Sequence, residues 1–163
     1  MQNDGPEVIS EMPYRVVDLF CGAGGIGLGF EQCGFTVVAA TDIDRACCAT
    51  HQRNFPQARV FEGDITLPEV MDDLLHHLAG GVEVVVGGPP CQGFSQLGRQ
   101  LADDPRNQLW RRYMDVVAAT RPLLFLMENV PPLLRSAEWE AIRGIAAGLG
   151  YVLDARVVNS ADY

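Results

Sequence analysis

Lysine is absent from this 163-residue chain, and arginine supplies all 12 of its positive charges. That absence excludes a Schiff-base lysine, a phosphate-loop lysine and a lysine-rich polybasic tail. Positive charge is scarce altogether: Asp and Glu number 21, leaving a formal net charge of -9. Neutralising phosphates takes clustered positive charge, so the chain does not read as a nucleic-acid binder in its own right. If it acts on nucleic acid, another element must bring much of the positive charge. No segment approaches the roughly 18 consecutive apolar residues of a membrane-spanning helix, so no membrane is expected as a partner. The opening residues MQNDGPEVISEM carry three acids and no base, and do not read as an export signal. The five cysteines are Cys21, Cys33, Cys47, Cys48 and Cys91. An odd count without a Cys-x-x-Cys pair argues for reduced thiols in a cytoplasm rather than a disulfide framework or zinc site.

With 48% hydrophobic residues, the length suffices for one domain with a core and is too short for two ordinary ones. Residues 1–13 read as a flexible N-terminus. Short β-branched runs then alternate with helical stretches. Strands are expected at 15–20, 36–42, 58–64, 82–88, 122–130 and 151–160. Helices are expected from Gly25 to Cys33, from Asp44 as cap to Asn54, from Leu67 to Leu78, from Asn107 to Thr120 and from Glu138 to Leu149. Pro68 suits a first helical turn, and Gly150 suits a helix stop. Residues 89–106 form a long loop of the kind that is usually functional. The alternation predicts an α/β fold with a mostly parallel, doubly wound sheet.

In such sheets ligands bind at the carboxyl ends of the strands, where the unusual residues collect. After the first strand, Gly22-Ala23-Gly24-Gly25-Ile26-Gly27 is a literal G-x-G-x-x-G, and Asp42 follows Gly22 by 20 residues. Glycines let a nucleoside cofactor approach the backbone, and the acid accepts from ribose hydroxyls. A dinucleotide and S-adenosylmethionine fit this signal about equally. Asp18 could meet the positive end of a methionine-type ligand, Phe20 could pack on a flat base, and Asp64, with Ile65 beside it, could accept from an adenine amino group. Acids at all three places favour the second cofactor. The fourth strand ends in Gly87-Gly88-Pro89-Pro90-Cys91, followed by Gln92-Gly93-Phe94-Ser95. A thiol held by two prolines at a strand end is a nucleophile candidate, with Arg99 and Arg106 in the same loop to favour thiolate. Glu128, after the apolar run LLFLM, is placed at the same edge, where burial would make it a competent proton donor.

The ordered segments DLFCGAGGIGLGF, TDID, GDI, GGPPCQGFS, DPRNQL and ENV resemble the motifs of the DNA (cytosine-5) methyltransferases over residues 15–163. The resemblance implies a Rossmann-like methyltransferase fold, S-adenosylmethionine as methyl donor, and double-stranded DNA with a flipped-out cytosine as partner. Restriction-modification would be the setting. It implies Cys91 as the nucleophile at carbon 6 and Glu128 as the acid contacting ring nitrogen 3 and the amino group. Phe20, Gly22, Gly24, Asp42, Ile43, Asp64, Ile65, Pro90 and Leu109 match its cofactor-contacting positions. Extrusion of the base is also a physical need, because carbon 6 is unreachable inside the stack.

In that family the segment ending here at Asp162-Tyr163 continues into a Gln-x-Arg-x-Arg motif, a further strand and a target-recognition domain. The resemblance therefore implies a partial catalytic domain over 14–163, incomplete at its C-terminal side, and a complementing polypeptide that carries the remainder. A non-catalytic S-adenosylmethionine-binding fragment and an RNA cytosine methyltransferase stay open as alternatives; an NAD-binding protein is disfavoured by PPCQGFS. His51, His76 and His77 read as solvated helix residues, Cys33, Cys47 and Cys48 as packing residues, and Cys21 as an apolar lining of the turn. Arg111 and Arg112 read as a solvated helix face, and Trp110 and Trp139 as packing or partner-contact residues.

Overall fold

The computed structural model describes residues 14–90 and 109–162. The readings of residues 1–13, of Cys91, and of the long loop with Arg99 and Arg106 therefore lie outside the described residues. Within them, the strands are β1 (Arg15–Leu19), β2 (Thr36–Asp42), β3 (Arg59–Glu62), β4 (Val84–Gly87) and β5 (Leu124–Met127). The α-helices are α1 (Gly25–Gln32), α2 (Arg45–Asn54), α3 (Pro68–His77), α4 (Leu109–Thr120) and α5 (Ala137–Gly148). The strands pair in the order β3-β2-β1-β4-β5, every neighbour parallel. The chain winds outward from β1 in one direction, then returns to lay β4 on its other side. That reversal is the topological switch point at which doubly wound sheets bind ligands.

The period of two along a strand divides the core. Val16, Val84 and Val86 face Phe55, Ile26 and Phe30 beneath α1 and α2. Val17, Leu19 and Val85 face Leu74, Tyr113, Ile142 and Ala146 from α3, α4 and α5. Burial on both faces is why β4 reads as an uninterrupted apolar run. The same parity puts Asp18 on the side that α1 and α2 cover. Local signals set the helix ends. The Asp44 carboxylate accepts from the Cys47 N–H at 2.9 Å, Pro68 opens α3, and the Ser136 hydroxyl accepts from the Trp139 N–H at 3.2 Å. At the end of α5, the Gly150 N–H donates to Ala147 O and the Tyr151 N–H to Ala146 O, the paired bonds that close a helix.

The fifth strand forms within the expected 122–130 and is an edge strand among the described residues: Phe125 and Met127 pack on the core, but Leu124 and Leu126 are exposed. One expectation is corrected. The sixth strand expected at 151–160 does not form, and residues 151–159 have no regular structure. Only its start is anchored. The Tyr151 hydroxyl donates to Pro122 O at 2.6 Å and its ring stands edge-on to Phe125, while Val152, Val157 and Val158 are exposed. An alternating pattern becomes a strand only when a neighbour takes its N–H and C=O groups, and β5 offers no such register here. No helix among the described residues is long and apolar enough to cross a membrane.

Tyr113 joins β4 and β5 from beneath. Its hydroxyl is fully buried and lies 2.9 Å from both Val85 O on β4 and Leu126 O on β5. Burial raises its pKa, so the phenol stays a donor. Tyr113→Phe should lower the unfolding free energy by about 1–3 kcal/mol, the usual effect of leaving buried acceptors unpaired. Urea denaturation checks it, and an unchanged midpoint would show that the hydroxyl adds nothing to this join.

Candidate active site

The carboxyl ends of the strands form one rim. After β1 the chain turns sharply: Phe20 takes φ 56°, a left-handed value uncommon outside glycine. The Gly22 N–H then donates to Asp42 Oδ2 at 2.8 Å, and the Asp44 N–H donates to Asp42 Oδ1 at 2.9 Å. Asp42 thereby ties the end of β2 to the turn after β1. Each carboxylate oxygen has a second lone pair, so the group can still accept from vicinal hydroxyls. Gly24, at φ 96°, opens α1. A Cβ there would overlap the Phe55 ring and lie 3.1 Å from His51 Cδ2, so the position requires glycine twice over.

Beyond β3, Asp64 is half-buried and its Oδ1 accepts from the Thr66 N–H at 2.9 Å. The two isoleucines beside the acids differ. Ile65 is buried in the core, whereas Ile43 is 69% exposed and offers an open apolar surface on the rim. Pro90 is exposed just past β4, and Leu109 is half-buried at the start of α4. Phe20 is half-buried against the main core. The fold thus gathers Phe20, Gly22, Gly24, Asp42, Ile43, Asp64 and Pro90 at one edge of the sheet, with Ile65 turned inward.

The ends of β4 and β5 are bound to each other. The Glu128 N–H donates to Gly87 O at 3.0 Å, and Asn129 Nδ2 donates to Pro89 O at 2.9 Å. A Cβ on Gly88 would lie 3.0 Å from Glu128 Oε2, so that carboxylate lies over the glycine. Glu128 is exposed, not buried as LLFLM suggested, because β5 is the sheet edge among the described residues.

Several other residues depart from expectation. Asp18 does not open onto the rim: it is 1% exposed, and its Oδ2 accepts from the Gly27 N–H at 3.2 Å beneath α1. Burial holds its carboxyl above the ordinary range. His51 is fully buried rather than solvated, with its ring 4.4 Å from that of Phe55. Cys33 is exposed rather than packed, whereas Cys48 is buried and Cys47 half-buried. Burial, with Asp18 and Asp42 nearby, pushes the Cys21 thiol well up, which leaves it an inert lining group. Trp110 packs in the core with the Arg111 guanidinium 4.5 Å from its ring centroid. The residues not anticipated are on α2 and just after it. His51 and Phe55 flank Gly24, and Asn54 Nδ2 donates to Ala23 O at 2.9 Å. Their spacing, i, i+3 and i+4, was the available sign of one shared face.

A family model described as "C-5 cytosine-specific DNA methylase" matches residues 14–163. The Type II methyltransferase M.XorII of Xanthomonas oryzae is 42% identical over 156 residues, covering 90% of this chain and 36% of the relative. The Type II methyltransferase M1.HphI of Haemophilus parahaemolyticus is 41% identical over 159 residues, covering 93% of this chain and 42% of the relative. A prophage-encoded E. coli protein described as a DNA modification methyltransferase superposes with a TM-score of 0.66 at 37% identity, covering 83% of this chain and 37% of that one. The chain therefore spans about two-fifths of the length of these relatives.

Proposed function

Because the chain belongs to the C-5 cytosine-specific DNA methylase family, we propose that it carries the cofactor site and the reactive residues of a DNA cytosine-5 methyltransferase. The observation that supports this reading best is the bound pair of strand ends. Glu128 and the Gly87–Pro90 segment leading to Cys91 sit side by side on the rim that also holds Asp42 and Asp64. Asp42 would take the ribose hydroxyls of S-adenosylmethionine, Asp64 the adenine amino group, and Phe20 and Ile43 the faces of the base. Gly22, Gly24, Pro90 and Leu109 complete that wall, and Ile65 packs behind it. The donor set fits, since acids and close-packed glycines suit a nucleoside bearing hydroxyl and amino donors. When bound, the cofactor supplies an electrophilic methyl group.

In this reading Cys91, as thiolate in a reducing cytoplasm, forms a bond from Sγ to carbon 6 of a cytosine flipped out of double-stranded DNA. The ring electrons move to carbon 5, which becomes the nucleophile. Glu128 contacts ring nitrogen 3 and the amino group and holds the adduct. Carbon 5 would take the methyl group as the methyl–sulfur bond of the cofactor breaks, with S-adenosylhomocysteine as the leaving group; the carbon 5 proton passes to water, the Sγ–carbon 6 bond breaks and the ring double bond returns. With -9 net charge and the β5 edge unpaired on its outer side among the described residues, we also propose a complementing polypeptide region. It would add a strand and the positive surface for DNA.

Cys91→Ser should abolish methylation by an assembly containing this chain and leave cofactor binding unchanged, because a hydroxyl is far less ionised than a thiol near neutral pH. DNA containing 5-fluorocytosine should trap an adduct through Cys91, and an adduct that survives Cys91→Ala would sink the assignment. In titration calorimetry, S-adenosylhomocysteine should bind more tightly than NAD, and Asp42→Ala and Asp64→Ala should each weaken it by about 1–3 kcal/mol. Preferred binding of NAD would defeat the reading. The isolated chain should self-associate through its unpaired β5 edge, and co-expression with a polypeptide carrying the Gln-x-Arg-x-Arg motif should give a defined complex with methylation activity. Full activity of a monomeric 163-residue chain would overturn the need for that region.

A further inference from the structure

The space between α1, α2 and β1 holds a polar pair that the reaction does not use. Asp18 and His51 are 1% and 0% exposed, with His51 Nε2 3.8 Å from Asp18 Oδ2. That separation is beyond a direct hydrogen bond. Among the described residues, Asp18 Oδ1 and both ring nitrogens of His51 are buried without a hydrogen-bond partner. Three such atoms in one pocket are a cost to folding that an apolar residue of similar size would not impose. A locally unfavourable arrangement of this kind is found where function requires it.

Its surroundings indicate what it serves. Asp18 Oδ2 receives the Gly27 N–H, which fixes the first turn of α1. His51, Asn54 and Phe55 form one face at the C-terminal end of α2, and all three meet the glycine turn. His51 and Phe55 fill the space beside Gly24, and Asn54 holds the Ala23 carbonyl. The other end of α2 follows directly on Asp42 and Ile43, with Asp42 gripping Gly22. One short helix thus begins at one cofactor contact and closes on another.

We propose that His51 is a positioning residue: with Asp18, Asn54 and Phe55 it clamps the Gly22–Gly27 backbone from behind, and the strength of S-adenosylmethionine binding depends on that clamp. The proposal rests on the cofactor reading above. It acts through the backbone alone, since His51 has no exposed surface with which to touch a ligand.

A packing role and a positioning role move stability and affinity differently. His51→Leu removes two unpartnered nitrogens at similar volume, so its unfolding midpoint should equal or exceed that of the wild type. Its affinity for S-adenosylhomocysteine, measured by calorimetry on the full chain, should nevertheless fall about ten-fold. His51→Gln, which restores polar atoms at the site, should recover most of that loss. Without cofactor, the amides of residues 22–27 should exchange with deuterium faster in His51→Leu. Should that variant fail to fold, Asn54→Ala at the exposed end of the clamp should weaken binding at unchanged stability. Wild-type affinity together with unchanged exchange would overturn the proposal, as would parallel losses of stability and affinity in both His51 variants. If the wild type binds no S-adenosylhomocysteine, the cofactor reading falls, and the exchange of residues 22–27 still decides whether the clamp exists.

Discussion

Because β1 pairs in parallel with both β2 and β4, every strand delivers its carboxyl end to the same rim. Parallel ladders need long crossovers, and here those crossovers are the helices that cover both faces. The middles of the strands are thus largely given over to Val, Ala, Leu and Phe, and polar chemistry is expelled to the ends. Asp42, Asp64 and Glu128 are separated in sequence by tens of residues and lie on one edge for this reason alone. Closeness of the backbones does the rest: a Cβ on Gly87 would overlap the Leu19 carbonyl, so glycine lets β4 finish tight against β1.

Asp18 is the exception to that division of labour. It is the one buried acid among the described residues, placed in a central strand where parity turns it towards α1. Its cost is partly offset by the Gly27 N–H, one of the donors that a helix start leaves without an intrahelical partner. The turn between Asp18 and Gly27 is accordingly held at three levels: from below by this carboxylate, from the side by Asp42, and from behind by α2. Gly22, Gly24, Gly25 and Gly27 have no side chains with which to hold the turn, so these outside contacts fix it.

Features governed by neighbours in sequence were readable from it. The Asp44 cap, Pro68 at a first turn and Gly150 after α5 act over a few residues, and β4, with both faces buried, carries an unbroken apolar run. Glu128 and residues 151–160 were misjudged because exposure at a sheet edge depends on which strand has a neighbour, and LLFLM reads alike at the centre and at the edge. His51 was misjudged for a related reason. Polar neighbours such as Gln52 and Arg53 make α2 look solvated, while the face that matters consists of three residues meeting a turn some thirty positions earlier. That the G-x-G-x-x-G turn and the acids at the ends of β2 and β3 share one rim was legible from the alternation of strands and helices, but not the packing that supports the turn.

The bond from Asn129 to the Pro89 carbonyl has a mechanical consequence. With the Glu128 N–H on Gly87 O, it makes a two-point hinge plate across the ends of β4 and β5. Whatever path the chain follows after Pro90, it departs from a mount that cannot shift without carrying Glu128 along. Bending of the sheet edge would then move Glu128 and the Gly87–Pro89 end of β4 as one piece, preserving their spacing.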